Sequence, residues 1–93
     1  MMNIMKKIKG IFGKYETGYE YWVKFNEIKI QPCFNNSHPS YRKMIQKWNY
    51  YRETGNFQSP IVLNKDFVLV DGYTSYIIAE KESMRKIPVW FVD

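Results

Sequence analysis

The chain has very little sulfur or imidazole chemistry to offer: one cysteine, Cys33, and one histidine, His38, in 93 residues. A lone cysteine excludes an internal disulfide and a cysteine-based zinc cluster. A lone histidine without a spaced partner makes neither a metal site nor a triad. No catalytic residue and no metal ligand set is assigned. Long apolar runs are also missing, so no segment approaches a membrane span. Near the N-terminus Lys6, Lys7 and Lys9 interrupt Ile4, Ile8, Ile11 and Phe12, so no continuous signal-peptide core forms. A cytoplasmic, reducing location is the expectation and fits the unpaired Cys33. There is no internal repeat and no low-complexity segment.

Aromatic residues are plentiful, at 18%. Ninety-three residues make one domain, which buries only about 60–65% of its unfolded surface. Large rings help such a small core, because each buries much area. The net charge is +5, and it is unevenly placed. Residues 1–25 hold five lysines against two glutamates, and residues 39–55 hold four basic groups against one acid. A basic half of this kind suits an anionic partner such as nucleic acid. Solubility alone is the other use of such charge.

The apolar pattern divides the chain. Residues 1–14 show helical spacing weakened by Gly10 and Gly13, which predicts a short terminal helix or hairpin packed on the body. Residues 21–30 alternate, with a parity switch near Asn26-Glu27 that predicts a bulged or bent strand ended by Pro32. Residues 31–38 form a polar loop. A helix is predicted over 39–54: Pro39 suits its first turn, Tyr41, Met44, Ile45, Trp48 and Tyr51 share a face, and Gly55 stops it. Pro60–Leu63 and Phe67–Val70 flank the turn Asn64-Lys65-Asp66 and read as a hairpin. Asp71 is placed to cap a helix over 73–83. Residues 87–92 give a last strand, and Pro88 points to a strand edge or start. The order β-α-β-β-α-β defines one small α+β domain over 23–93, with 1–22 as an N-terminal extension.

The junction Leu69-Val70-Asp71-Gly72-Tyr73-Thr74-Ser75 is the most informative stretch. A strand feeds directly into a helix N-terminus, where free N–H groups and the helix dipole receive anions. The N–H groups of Gly72, Tyr73 and Thr74, with the hydroxyls of Thr74 and Ser75, are the expected phosphate ligands. Lys43 is expected to supply counter-charge to the same site, and Arg42, Lys43 and Lys47 to contact nucleic acid from the first helix. A solvated helix face is the other use of these cations. Tyr15, Tyr19, Tyr21 and Trp22, near Lys14 and Lys24, suit stacking on single strands, although core packing or self-association is the commoner fate of such rings.

Five segments in this order resemble the N-terminal domain of ParB proteins and the related sulfiredoxin fold. They are Ile28-Lys29-Ile30-Gln31-Pro32, Tyr51-Arg52-Glu53-Thr54-Gly55, Ser59-Pro60-Ile61-Val62-Leu63, Leu69 to Glu80, and Ile87-Pro88-Val89. Together they span about residues 23–92. The resemblance implies a ParB/sulfiredoxin-like fold with nucleotide phosphate held at the junction 71–76, in a small bacterial or phage protein that binds nucleotide or DNA. Some relatives are nucleases or kinases. This chain departs from both patterns. The ParB junction is Gly-Glu-Arg-Arg, whereas Gly72 is followed by Tyr73-Thr74-Ser75, so hydrolysis by the ParB route is not expected. The sulfiredoxin cysteine falls at Tyr73, which excludes that activity. No cofactor is fixed by the residues; the resemblance admits a nucleotide, with or without Mg²⁺. Three readings follow: a binding module for nucleotide or nucleic-acid phosphate, a degenerate regulatory domain that binds a protein or a second copy of itself, and a metal-dependent nuclease or phosphotransferase using Asp71 with Glu53 or Glu80.

Overall fold

Six elements in the expected order build the domain in a computed structural model, which describes residues 15–36 and 38–92. They are β1 (Glu20–Lys24), α1 (Tyr41–Thr54), β2 (Ile61–Leu63), β3 (Leu69–Asp71), α2 (Tyr73–Lys81) and β4 (Lys86–Phe91). The terminal helix expected over 1–14 lies outside the described residues. The sheet order is β1-β4-β2-β3. β4 pairs antiparallel with β1 and parallel with β2, and β2–β3 is the antiparallel hairpin. The Asn64 side chain closes that hairpin by accepting from the N–H groups of Asp66 and Val68 at 2.8 and 3.0 Å.

The stretch 21–30 is not one strand. After Lys24 the chain makes a 3-10 turn at Phe25–Glu27, and Lys29 then forms a parallel bridge to Val68 beside β3. The Lys29 N–H donates to Phe67 at 2.8 Å and its carbonyl accepts from Leu69 at 2.9 Å. The chain thus passes from one sheet edge to the other within five residues. A flat sheet would set those positions about 19 Å apart, four strand spacings. Five residues reach at most about 18 Å even when fully extended, and a 3-10 turn shortens that. The sheet therefore curls, and its concave side becomes the core. Val23, Ile28, Ile61, Leu63, Leu69, Ala79, Ile87, Val89 and Phe91 are buried there. Each buried aliphatic side chain contributes about 1.5–3 kcal/mol relative to an exposed one.

Several local expectations change. Ser40, not Pro39, begins α1: its hydroxyl accepts from the Lys43 N–H at 3.2 Å, so Pro39 lies one residue before the cap. Tyr41 has the right spacing for the apolar face yet is 82% exposed. α1 docks instead through its later turns, where Trp48 Nε1 donates to Glu82 at 2.6 Å and Tyr51 stacks on Phe57 at 5.3 Å. Residues 32–36 wind into a 3-10 turn inside the expected loop. Pro88 is not at a sheet edge, because β4 lies between β1 and β2. Its registered pairing with β2 starts at Val89, one residue past the proline. Tyr15 and Tyr21 are drawn toward the core, where both rings meet Phe91.

Candidate functional site

Gly72 decides the geometry of the strand-to-helix junction. Its φ is 87°, a left-handed conformation that favours glycine. A Cβ there would collide with the Pro60 carbonyl oxygen and stand 2.8 Å from Ile61 Cα. The start of α2 is therefore pressed against the start of β2, with no room for a side chain between them. Ser75 fastens the same contact. It is 1% exposed, and its hydroxyl donates to the Ser59 carbonyl at 2.5 Å. Ser59 also joins α1 to this corner, since its hydroxyl oxygen accepts from Lys47 Nζ at 2.5 Å.

A cleft of about 230 Å³ opens at this corner, lined by Phe34, Pro39, Lys43, Lys47, Ser59, Asp71, Gly72, Tyr73 and Thr74. Lys43 and Lys47 stand one turn apart on α1, so both face the α2 N-terminus. Lys47 spends one of its three donors on Ser59 and keeps two. The first-turn N–H groups of α2 at Tyr73, Thr74 and Ser75 have no acceptor inside their own helix. Two cations, one carboxylate and a helix N-terminus leave the cleft net positive, and such a site attracts an anion.

The structure brings Lys43, Lys47, Gly72, Tyr73 and Thr74 together. Two expected ligands lie elsewhere. Arg42 is exposed outside the cleft, about 100° round the helix from Lys43. The Ser75 hydroxyl points to Ser59 and is engaged there. Asp71 does not cap α2. It ends β3, Gly72 is the N-cap residue, and the helix receives no side-chain cap. The Asp71 carboxylate instead accepts from the Gly72 N–H at 2.9 Å, which removes that N–H from the set of free donors. Among the described residues no group of three or more His, Cys, Asp or Glu could hold a metal ion. Glu53 and Glu80 do not line this cleft.

Sequence reasoning missed Phe34 and the double role of Ser59. Phe34 carried a signal, being an aromatic residue within a loop otherwise rich in Asn, Ser and Pro. It stacks on Tyr73 at 5.0 Å, Tyr73 stacks on Tyr76 at 6.2 Å, and Tyr76 stacks on Phe25 at 4.7 Å. A ladder of four rings thus runs along α2, and its first two, Phe34 and Tyr73, line the cleft. Burial pushes the Tyr76 phenol above its ordinary value, and the nearby Glu80 and Tyr73 add to the rise.

This curled sheet with two helices is the fold of ParB N-domains and sulfiredoxins. A Pnob8-like ParB N-domain superposes with a TM-score of 0.68 at 24% identity over 81% of this chain. Sulfiredoxin from Arabidopsis thaliana gives 0.67 at 17% identity, covering 81% of this chain and 85% of its own. A free serine kinase in complex with AMP gives 0.63 at 15% identity over 85% of this chain. The chain spans 29% of the ParB structure and 33% of the kinase. No family model and no curated protein sequence matches it. Among the described residues no helix is long and apolar enough to cross a membrane.

Proposed function

We propose that the domain is a binding module whose cleft at the α2 N-terminus receives a phosphate group of a nucleotide or nucleic acid. One observation carries this: Lys43 and Lys47 converge with the first turn of α2 on a single cleft. The lysines supply charge, the N–H groups of Tyr73 and Thr74 supply directed donors, and Thr74 contributes its hydroxyl. Asp71, held by the Gly72 N–H, limits the net charge and favours a single phosphate over a polyphosphate at this point. A fold neighbour in complex with AMP supports a nucleotide as the first ligand to try.

Intrinsic tryptophan fluorescence during thermal unfolding tests the proposal, with AMP and ATP each added with and without Mg²⁺. A ligand at one hundred times its Kd stabilises the folded state by about 2.7 kcal/mol. Lys43→Gln removes an exposed cation without touching the core, so its own midpoint should stay unchanged while the ligand-induced rise shrinks. No rise with either nucleotide, or a rise that is the same size in Lys43→Gln, would refute the site.

A further inference from the structure

The outer face of the β1–β4 ribbon carries residues that the cleft does not use. Side chains alternate across a strand, and registered cross-strand partners share a face. Val23, Ile87, Val89 and Phe91 go to the core. The opposite face therefore shows three successive rows: Glu20 beside Trp90, Trp22 beside Pro88, and Lys24 beside Lys86. Trp22 is 62% exposed and Trp90 is 36% exposed. Among the described residues neither indole stacks on another ring or donates a hydrogen bond. Trp22 and Trp90 are diagonal neighbours across the ribbon, positions whose Cα atoms lie about 7–8 Å apart.

The row of lysines continues this surface. Like charges directly opposite one another destabilise a sheet, so Lys24 and Lys86 weaken the ribbon they belong to. Among the described residues neither makes a salt bridge. They border a trough of about 520 Å³ with Phe25, Asn26, Met84 and Arg85, and no carboxylate lines it. Two exposed indoles thus lead into three cations.

We propose that this face binds single-stranded nucleic acid, stacking unpaired bases on Trp22 and Trp90 and seating phosphates at Lys24, Arg85 and Lys86. Sheet faces that display aromatic rings take two or three bases in this way, and stacking needs bases free of a duplex. Charge decides against a second copy of the chain as the occupant. A two-fold pairing would bring the same three cations from each copy, with Glu20 as the one acid on the three rows to offset them. The surface is separate from the phosphate cleft and stands without it.

Titration of the full chain with twelve-residue oligo(dT) and oligo(U), followed by tryptophan quenching, tests the proposal. The two oligonucleotides distinguish DNA from RNA. Quenching should weaken with salt at a slope of roughly −2, for three phosphates neutralised on a single strand. Trp22→Ala should weaken binding about 5- to 150-fold, and Trp22→Phe should restore much of it. Lys86→Glu has an opposite-sign signature: it converts the repulsive row into an ion pair and raises the thermal midpoint, yet weakens the oligonucleotide. The proposal is overturned by the absence of quenching at 50 mM salt, by binding indifferent to Trp22→Ala and Lys86→Glu, or by binding lost in Lys43→Gln alone. A Trp22-dependent dimer that ignores both oligonucleotides would overturn it equally.

Discussion

Gly72→Ala and Gly55→Ala together separate backbone strain from steric exclusion. Both glycines are left-handed, at φ 87° and 79°. Gly55 closes α1 over open space, whereas Gly72 faces the backbone of Pro60 and Ile61. An alanine at Gly55 costs only its left-handed conformation, about 1–2 kcal/mol. The same change at Gly72 adds overpacking, typically about 1–3 kcal/mol. The upper end applies, because the obstacle is backbone on a buried strand and has no rotamer to escape into. A domain of this size has a total stability of about 5–14 kcal/mol, so Gly72→Ala should fold with much of its margin lost. Urea unfolding followed by tryptophan emission measures the difference. With a slope of about 1–3 kcal/mol per molar, the Gly72→Ala midpoint should fall about 1–3 M below that of Gly55→Ala. Equal midpoints would refute the close approach of α2 to β2, and with it the geometry of the cleft.

Ser75→Ala removes the donor from the Ser59 carbonyl, which should destabilise the domain by about 1–3 kcal/mol. Its affinity for AMP, measured by isothermal titration below the unfolding range, should stay unchanged, because the hydroxyl is directed away from the cleft. Tyr76→Phe should alter stability only in base. A phenol raised in the folded state binds its proton more tightly there than in the unfolded chain, so above the ordinary tyrosine value near pH 10 the unfolded state holds fewer protons and stability falls as pH rises. The stability difference between wild type and Tyr76→Phe, followed by urea unfolding from pH 8 to pH 11, should therefore shift in favour of the variant only in the upper part of that range.

What could be read in advance was whatever the chain settles locally. Gly55 stops α1 by adopting a left-handed turn, and Asn64 folds the hairpin with its own amide oxygen; both effects reach only a few residues. The pairing of Lys43 with Lys47 follows from helical periodicity, which equally separates Arg42 from them. The misread features all depend on distant partners. The parity switch at Asn26-Glu27 was visible, but its cause is the crossing from β1 to the far side of β3, a length constraint on the whole sheet. Pro88 obeys an edge-strand rule in isolation and breaks it because β2 starts only opposite Val89. Asp71 has the right type and position for a cap, yet Gly72 must take the N-cap position to fit against Pro60, and the carboxylate is left one residue too early. Ser75 looked like a phosphate ligand for the same reason: sequence supplies the hydroxyl, and only the approach of Ser59 decides which way it points. A hydroxyl at a helix N-terminus is therefore a ligand candidate only after the neighbouring backbone carbonyls have been satisfied. Here that condition leaves Thr74 and removes Ser75.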